Sequence, residues 1–171
     1  ASKGQRVLIV DLDPQGNAST GLGIRRSLIR ESAYDVLFEE ADVVNAAMET
    51  KVPRLFVVPS SVHLSGAEIE LVTAENREYR LKKALRRPLP FDYVMIDCPP
   101  SLSLLTLNAL VAVDSIIVPM QCEFYSLEGL SQLIKTVERV QKSFNPDLDI
   151  HGVVLTMMDR RNNLSGQVEA D

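Results

Sequence analysis

At 171 residues, 46% hydrophobic and 24% charged, the chain has the balance of a folded α/β domain and the size for one core rather than two. Its net charge of −5 excludes a chain basic throughout and leaves polyanion binding to local patches, of which Arg25-Arg26 with Arg30, Arg86-Arg87 and Arg160-Arg161 are the candidates. No apolar run reaches the roughly 18 residues of a membrane span, and Cys98, Cys122, His63 and His151 are too scattered for a metal centre, so the cysteines read as free thiols.

The elements follow in order. Ala1-Ser2-Lys3-Gly4 reads as the last turn of a helix closed by a glycine. Val7-Leu8-Ile9-Val10 is a short β-branched run, as expected of a strand in a parallel sheet, and it ends in Asp11-Leu12-Asp13-Pro14-Gln15-Gly16-Asn17. Gly16 to Gly23 reads as a flexible connection; it is no phosphate loop, because neither G-x-x-x-x-G-K-[ST] nor any Gly-Lys dipeptide occurs in the chain. Tyr34 to Phe38 and Val43 to Met48 are predicted as short helices. Leu55 to Val58 is the second strand, closed by Pro59. One helical stretch is predicted from Ala67 to Leu85, with Glu68, Glu70, Arg77, Arg80, Lys82 and Lys83 on its wet side.

Tyr93 to Ile96 is the third strand, closed by Asp97 and two prolines, and Leu104 to Val111 is the helix that follows. Ser115 to Val118 is the fourth strand. From Ser126 to about Phe144 an amphipathic helix is expected, with Leu127, Leu130, Ile134, Val137, Val140 and Phe144 on one stripe. Val153 to Leu155 is the fifth strand. This alternation predicts a doubly wound, mainly parallel α/β sheet with helices on both faces. The chain reads as one domain over 1–171, cut within an element at both ends.

In such sheets ligands sit beyond the carboxyl ends of the strands. Asp11, Asp13 and Asp97 therefore share one rim in the expected fold. Three carboxylates there repel one another unless protons or a cation neutralise them, and Mg²⁺ with a phosphate ligand is the natural neutraliser. Two plainer readings stay open: Asp13 before Pro14 as a turn opener, and Asp97 as a strand terminator.

The run Asp11-Leu12-Asp13-Pro14-Gln15-Gly16-Asn17-Ala18, then Asp97-Cys98-Pro99-Pro100-Ser101, then Glu123-Phe124-Tyr125-Ser126-Leu127-Glu128-Gly129 and Val154-Leu155-Thr156-Met157-Met158-Asp159, resembles the ParA/Soj partition ATPases, in unbroken order over the whole chain. The resemblance implies a P-loop fold, ATP and Mg²⁺ as cofactors, and roles for particular residues. Asp13 orients the attacking water. Asp11 lies behind the phosphate loop and the metal's shell. Asp97 holds Mg²⁺ through water, Pro100 belongs to the second switch beside the nucleotide, and Met157 and Met158 lie near the adenine. The implied partners are a ParB-type centromere-binding protein, non-specific DNA and a second copy joined by ATP. The implied place is the cytoplasm, on the nucleoid, with no membrane contact.

The family's lysine-bearing phosphate loop has no counterpart in this sequence. The ATPase activity is accordingly expected of a parent protein that has it, and this chain alone is expected to be inactive. The family's loop follows a strand that lies beside the Asp97 strand, so an unpaired edge is expected there. A response-regulator receiver competes weakly: its acids lie much closer in sequence than Asp13 and Asp97, and its lysine is replaced by Thr156-Met157-Met158-Asp159. A nucleotide-free binding module and the division-site-placing cousins of the same ATPases also compete, and the Asp-Pro-Gln-Gly-Asn run favours the partition branch.

Overall fold

The computed structural model describes residues 1–121 and 126–157, without the side chains of 126–128. The chain divides into two compact units, Ala1–Ala112 and Val113–Asp171, each with its own sheet.

The first unit is a four-stranded sheet in the order β2-β3-β1-β4. Strand β1 (Val7–Asp11) is central, and it pairs in parallel with β3 (Leu55–Val58) on one side and β4 (Tyr93–Asp97) on the other. Apolar β-branched runs suit these positions because both ladder edges of β1 are used and its side chains must pack. β2 (Met48–Glu49) adds a two-residue antiparallel edge against β3. Met48, expected to end a short helix, instead opens this edge strand: α3 (Val43–Ala46) stops at Ala46 and the chain turns there.

Around the sheet stand α1 (Asn17–Gly21), a single 3₁₀ turn (Arg26–Leu28), α2 (Ala33–Leu37), α4 (Leu64–Thr73), α5 (Arg80–Leu85) and α6 (Leu104–Ala112). Local chemistry sets several boundaries. The Asp35 carboxylate accepts from the Ser32 amide and hydroxyl, both at 2.7 Å, and so caps α2. Asp42 accepts from the Val44 amide and starts α3. The single helix expected from 67 to 85 is two, because the chain leaves the helix at Ala74 and Asn76 takes a left-handed φ of 50°.

Alternation along β1 decides where the core lies. Leu8, Val10 and the following Leu12 are fully buried with Val36, Leu37, Leu64, Leu71, Leu81 and Leu105 from the helices. Each fully buried leucine contributes about 2 kcal/mol relative to exposure. Across the sheet, Tyr93 and Met95 of β4 remain 60% and 54% exposed. β4 is an edge strand among the described residues: one side bonds β1 and the other has no partner.

The second unit is a β-α-β unit. β5 (Ser115–Gln121) and β6 (Asp149–Thr156) pair in parallel, joined by α7 (Ser126–Ser143). β6 thus starts four residues before the apolar run that marks it in the sequence. Val137, Val140 and Leu148 are buried in this unit. The Asn145 side-chain amide donates to the Val113 carbonyl and the Gln141 side-chain amide to that of Leu148, closing the polar ends of the crossover.

Candidate functional site

Register places Asp11 and Asp97 opposite each other at the ends of β1 and β4. Neighbours in register share a face of the sheet and lie within reach of each other's charge. The Leu12 amide then donates to the Asp97 carbonyl at 2.9 Å, which carries the ladder one step further and sets the start of the Asp13 turn.

Asp11 is fully buried. Its Oδ2 accepts from the Ser19 amide at 2.8 Å and the Ser19 hydroxyl at 2.6 Å, and its Oδ1 accepts from the Asp13 amide at 3.2 Å. Both oxygens are thus occupied by the chain itself. The Ser60 amide donates to the Ser19 hydroxyl at 3.0 Å, and the Ser60 hydroxyl donates to the Asp13 carbonyl at 2.5 Å. A closed network therefore joins the end of β1, the start of α1 and the end of β3. The flexible connection expected from Gly16 to Gly23 is instead held in place, with α1 inside it and Gly16 in the left-handed region at φ 67°.

Asp13 is half-buried. Its Oδ1 accepts from the Gln15 amide at 2.9 Å, an Asx turn, and its other carboxylate oxygen has no hydrogen-bond partner among the described residues. The turn-opening reading and an open carboxylate oxygen are both present in this one residue. Asp97 differs again: it receives no side-chain hydrogen bond from the described residues. Partial burial, and then the nearby charges of Asp11 and Asp13, hold its carboxyl above the usual carboxylate range. The three acids of the sequence reading do meet, and their mutual repulsion falls on Asp97. Next to it, burial pushes the Cys98 thiol up to about 12, which keeps it protonated. Pro100 is exposed in the turn leading to α6, where the Thr106 hydroxyl donates to the Ser101 carbonyl at 2.6 Å.

The described residues contain no group of three or more His, Cys, Asp or Glu arranged to hold a metal ion directly. The donor set fits a hard cation held at longer range. Asp97 and the open oxygen of Asp13 are unspent oxygen donors beside a buried third carboxyl, and a cation bound through water suits such a pair. Asp11 is the least available of the three as a ligand, since it is fully buried and both its oxygens already accept hydrogen bonds from the chain.

Met157 follows β6 in the second unit, 83% exposed and at a left-handed φ of 53°. Met158 and the Glu123-Phe124-Tyr125 segment lie outside the described residues. Of the basic patches, Arg87 pairs with Asp42 at 3.0 Å, whereas Arg25, Arg26 and Arg30 have no carboxylate within salt-bridge distance among the described residues. Arg160-Arg161 also lie outside them. Ser19 and Ser60, which bond the Asp11 and Asp13 network, escape a reading of the sequence. A serine eight residues past an aspartate, and another 41 further on, leave no pattern to find.

A family model described as an AAA domain matches residues 1–150. The chain is 58% identical over 174 aligned residues to the chromosome partitioning protein ParA of Caulobacter vibrioides, covering 100% of this chain and 65% of that protein. It is 55% identical over 166 residues to the sporulation initiation inhibitor protein Soj of Bacillus subtilis, covering 96% and 66%. The chain therefore spans just under two thirds of the length of these curated relatives. Among solved structures it resembles cobyrinic acid a,c-diamide synthase from Mycobacterium smegmatis with bound ADP and magnesium, at a TM-score of 0.92 and 40% identity, over 99% of this chain and 69% of that one.

Proposed function

We propose, on the premise that this chain belongs to the ParA/Soj family of partition ATPases, that it forms the carboxylate half of a Mg-ATP site in an enzyme that segregates chromosome or plasmid DNA. The other half, a lysine-bearing phosphate loop, would come from sequence that this chain does not contain. Identities of 58% and 55% to ParA and Soj favour partition over the amide synthesis named for the mycobacterial neighbour at 40%.

The observation that carries the reading is the division of labour at the rim. Asp11 is spent on holding the turn, while Asp13 and Asp97 keep oxygens for other partners. Phosphoryl transfer needs positioning and charge stabilisation more than covalent chemistry from the protein. Asp13, pinned at its carbonyl by Ser60 and at one carboxylate oxygen by Gln15, would present its second oxygen to orient an attacking water. Asp97 would hold Mg²⁺ through water, with Pro100 in the adjoining switch and Asp11 behind both. The ion, when bound, supplies positive charge that offsets the repulsion among the three acids. Met157 and Met158 are assigned to the adenine side.

The same reading assigns the parent protein an ATP-joined homodimer, non-specific DNA binding on the nucleoid, and a ParB-type partner that stimulates hydrolysis in the cytoplasm. No described helix is long and apolar enough to cross a membrane.

The test is kinetic. In a protein that carries both this chain and the phosphate loop, Asp13→Ala should abolish turnover and leave ATP binding intact. Loss of ATP binding would make Asp13 a structural residue and sink the assignment. Asp97→Ala should weaken Mg²⁺-dependent binding of a fluorescent ATP analogue, and an unchanged Mg²⁺ titration would reduce Asp97 to a strand terminator. For the 171-residue chain by itself, calorimetry should show no binding of Mg-ATP in the micromolar range; a micromolar dissociation constant, about −8 kcal/mol, would overturn that expectation.

A further inference from the structure

A cavity of about 290 Å³ lies beside the Asp13 turn, lined by residues of four segments. Gly16, Ser19 and Thr20 come from the turn and α1. Arg26 comes from the 3₁₀ turn, Arg30 from the link after it, and Ser32 and Asp35 from the start of α2. Ser60, Ser61 and His63 come from the link between β3 and α4. The cavity shares Ser19 and Ser60 with the network that holds Asp11 and Asp13.

Its charge is unbalanced. Arg26 makes one long hydrogen bond, at 3.4 Å to the Gln15 carbonyl, and neither Arg26 nor Arg30 has a carboxylate within salt-bridge distance among the described residues. The acid in the wall, Asp35, already accepts two short hydrogen bonds from Ser32. A second basic cavity of the same unit lacks this property. There Glu39 takes Lys83 at 2.6 Å and Arg80 at 3.7 Å, and Glu75 lines the same wall. Two unpaired guanidinium forks over a hydroxyl-lined hollow form the arrangement that binds a tetrahedral oxyanion in preference to a single carboxylate.

We propose that this cavity is a phosphoryl-binding site, separate from the carboxylate rim, and that its occupant is linked to Asp13 through Ser60. A phosphoryl group held by Arg26 and Arg30 would sit against the Ser60-Ser61 backbone. Any shift of Ser60 acts on the Asp13 carbonyl that its hydroxyl holds. This goes beyond the reading of the rim and does not depend on ATP hydrolysis. The phosphoryl group could belong to a small free anion or to a DNA backbone, and the experiment separates the two.

The 171-residue chain, labelled with ¹⁵N, is titrated with inorganic pyrophosphate and, in a second arm, with a short duplex DNA. Pyrophosphate should bind with a dissociation constant on the order of 1 mM and move the amides of Ser19, Thr20, Ser60 and Ser61, with Asp13 following. Arg26→Ala with Arg30→Ala should weaken binding by about tenfold for each charge-assisted hydrogen bond removed, and the two lysine replacements should restore part of it. Both arginines are exposed, so an unchanged melting temperature confirms that the variants fold. Lys82→Ala with Arg86→Ala should change nothing. Duplex DNA that moves the same amides and competes with pyrophosphate identifies the backbone as the source; pyrophosphate binding without such competition identifies a small anion. Shifts confined to Asp97–Ser101, or shifts undiminished in the double alanine variant, overturn the site. Cavity shifts with Asp13 unmoved overturn the link.

Discussion

The turn after β1 and the turn after β4 carry acids of the same rim, yet the chain handles them in opposite ways. At β1, Asp11 is buried and collects three hydrogen bonds from Ser19 and Asp13, so its charge is spent on structure. At β4, Asp97 receives no side-chain hydrogen bond from the described residues and takes the repulsion of both neighbours. A buried acid costs stability unless it is fully bonded. The bonded acid can therefore lie inside, and the unbonded one must stay near solvent, open to a ligand.

The sharpest way to break this contrast is Asp11→Ala. It leaves the Ser19 amide, the Ser19 hydroxyl and the Asp13 amide without their acceptor, and the loss should reach about 3–5 kcal/mol. Urea unfolding of the chain measures it. A loss below about 1 kcal/mol would mean that the network bears little of the turn's stability. Ser19→Ala comes next, at about 1–3 kcal/mol, because it removes the hydroxyl between Asp11 and Ser60 while the Ser19 amide remains. Gly16→Ala should cost about 1 kcal/mol. A Cβ there would meet only Ser60 at 3.6 Å, an ordinary distance, so the cost lies in the left-handed backbone.

Asp97→Asn should have the smallest effect, and of opposite sign. The folded chain holds the Asp97 proton to higher pH than the unfolded chain does. Between the two values the native state carries the extra proton, so stability falls as pH rises through that window and stays lowered above it. Removing the charge should therefore raise the melting temperature at neutral pH. The gain should vanish below the ordinary carboxylate range. A lowered melting temperature at neutral pH would show that Asp97 is bonded after all.

Much of this was legible in the sequence, for definite reasons. Val7–Val10, Leu55–Val58 and Tyr93–Ile96 are continuous apolar runs ended by Asp or Pro, and burial in a parallel sheet requires that pattern. The meeting of Asp11 and Asp97 follows from strand ends and a shared sheet. What stayed hidden depends on distant partners. Met48-Glu49 is a strand only because β3 is beside it. The break at Ala74 to Tyr79 lies in a segment whose composition suits a helix, and Asn108 holds it from α6, accepting from the Leu81 amide and donating to the Arg77 carbonyl. The Ser19-Ser60 pairing also spans separate elements. Each of these interactions decides a local conformation from outside the local window.

Cys98 gives the rim a built-in clock. Its thiol, held protonated by burial beside Asp97, is a poor nucleophile as long as the turn after β4 stays closed. Cys98 is half-buried, so an alkylating reagent should mark it slowly while that turn holds and faster whenever the turn opens, ahead of unfolding as a whole. Peptide mapping separates this mark from one at Cys122. A cation that settles on Asp97 would offset the carboxylate charge that helps burial hold the thiol protonated, so it should quicken the clock without a change in the sequence.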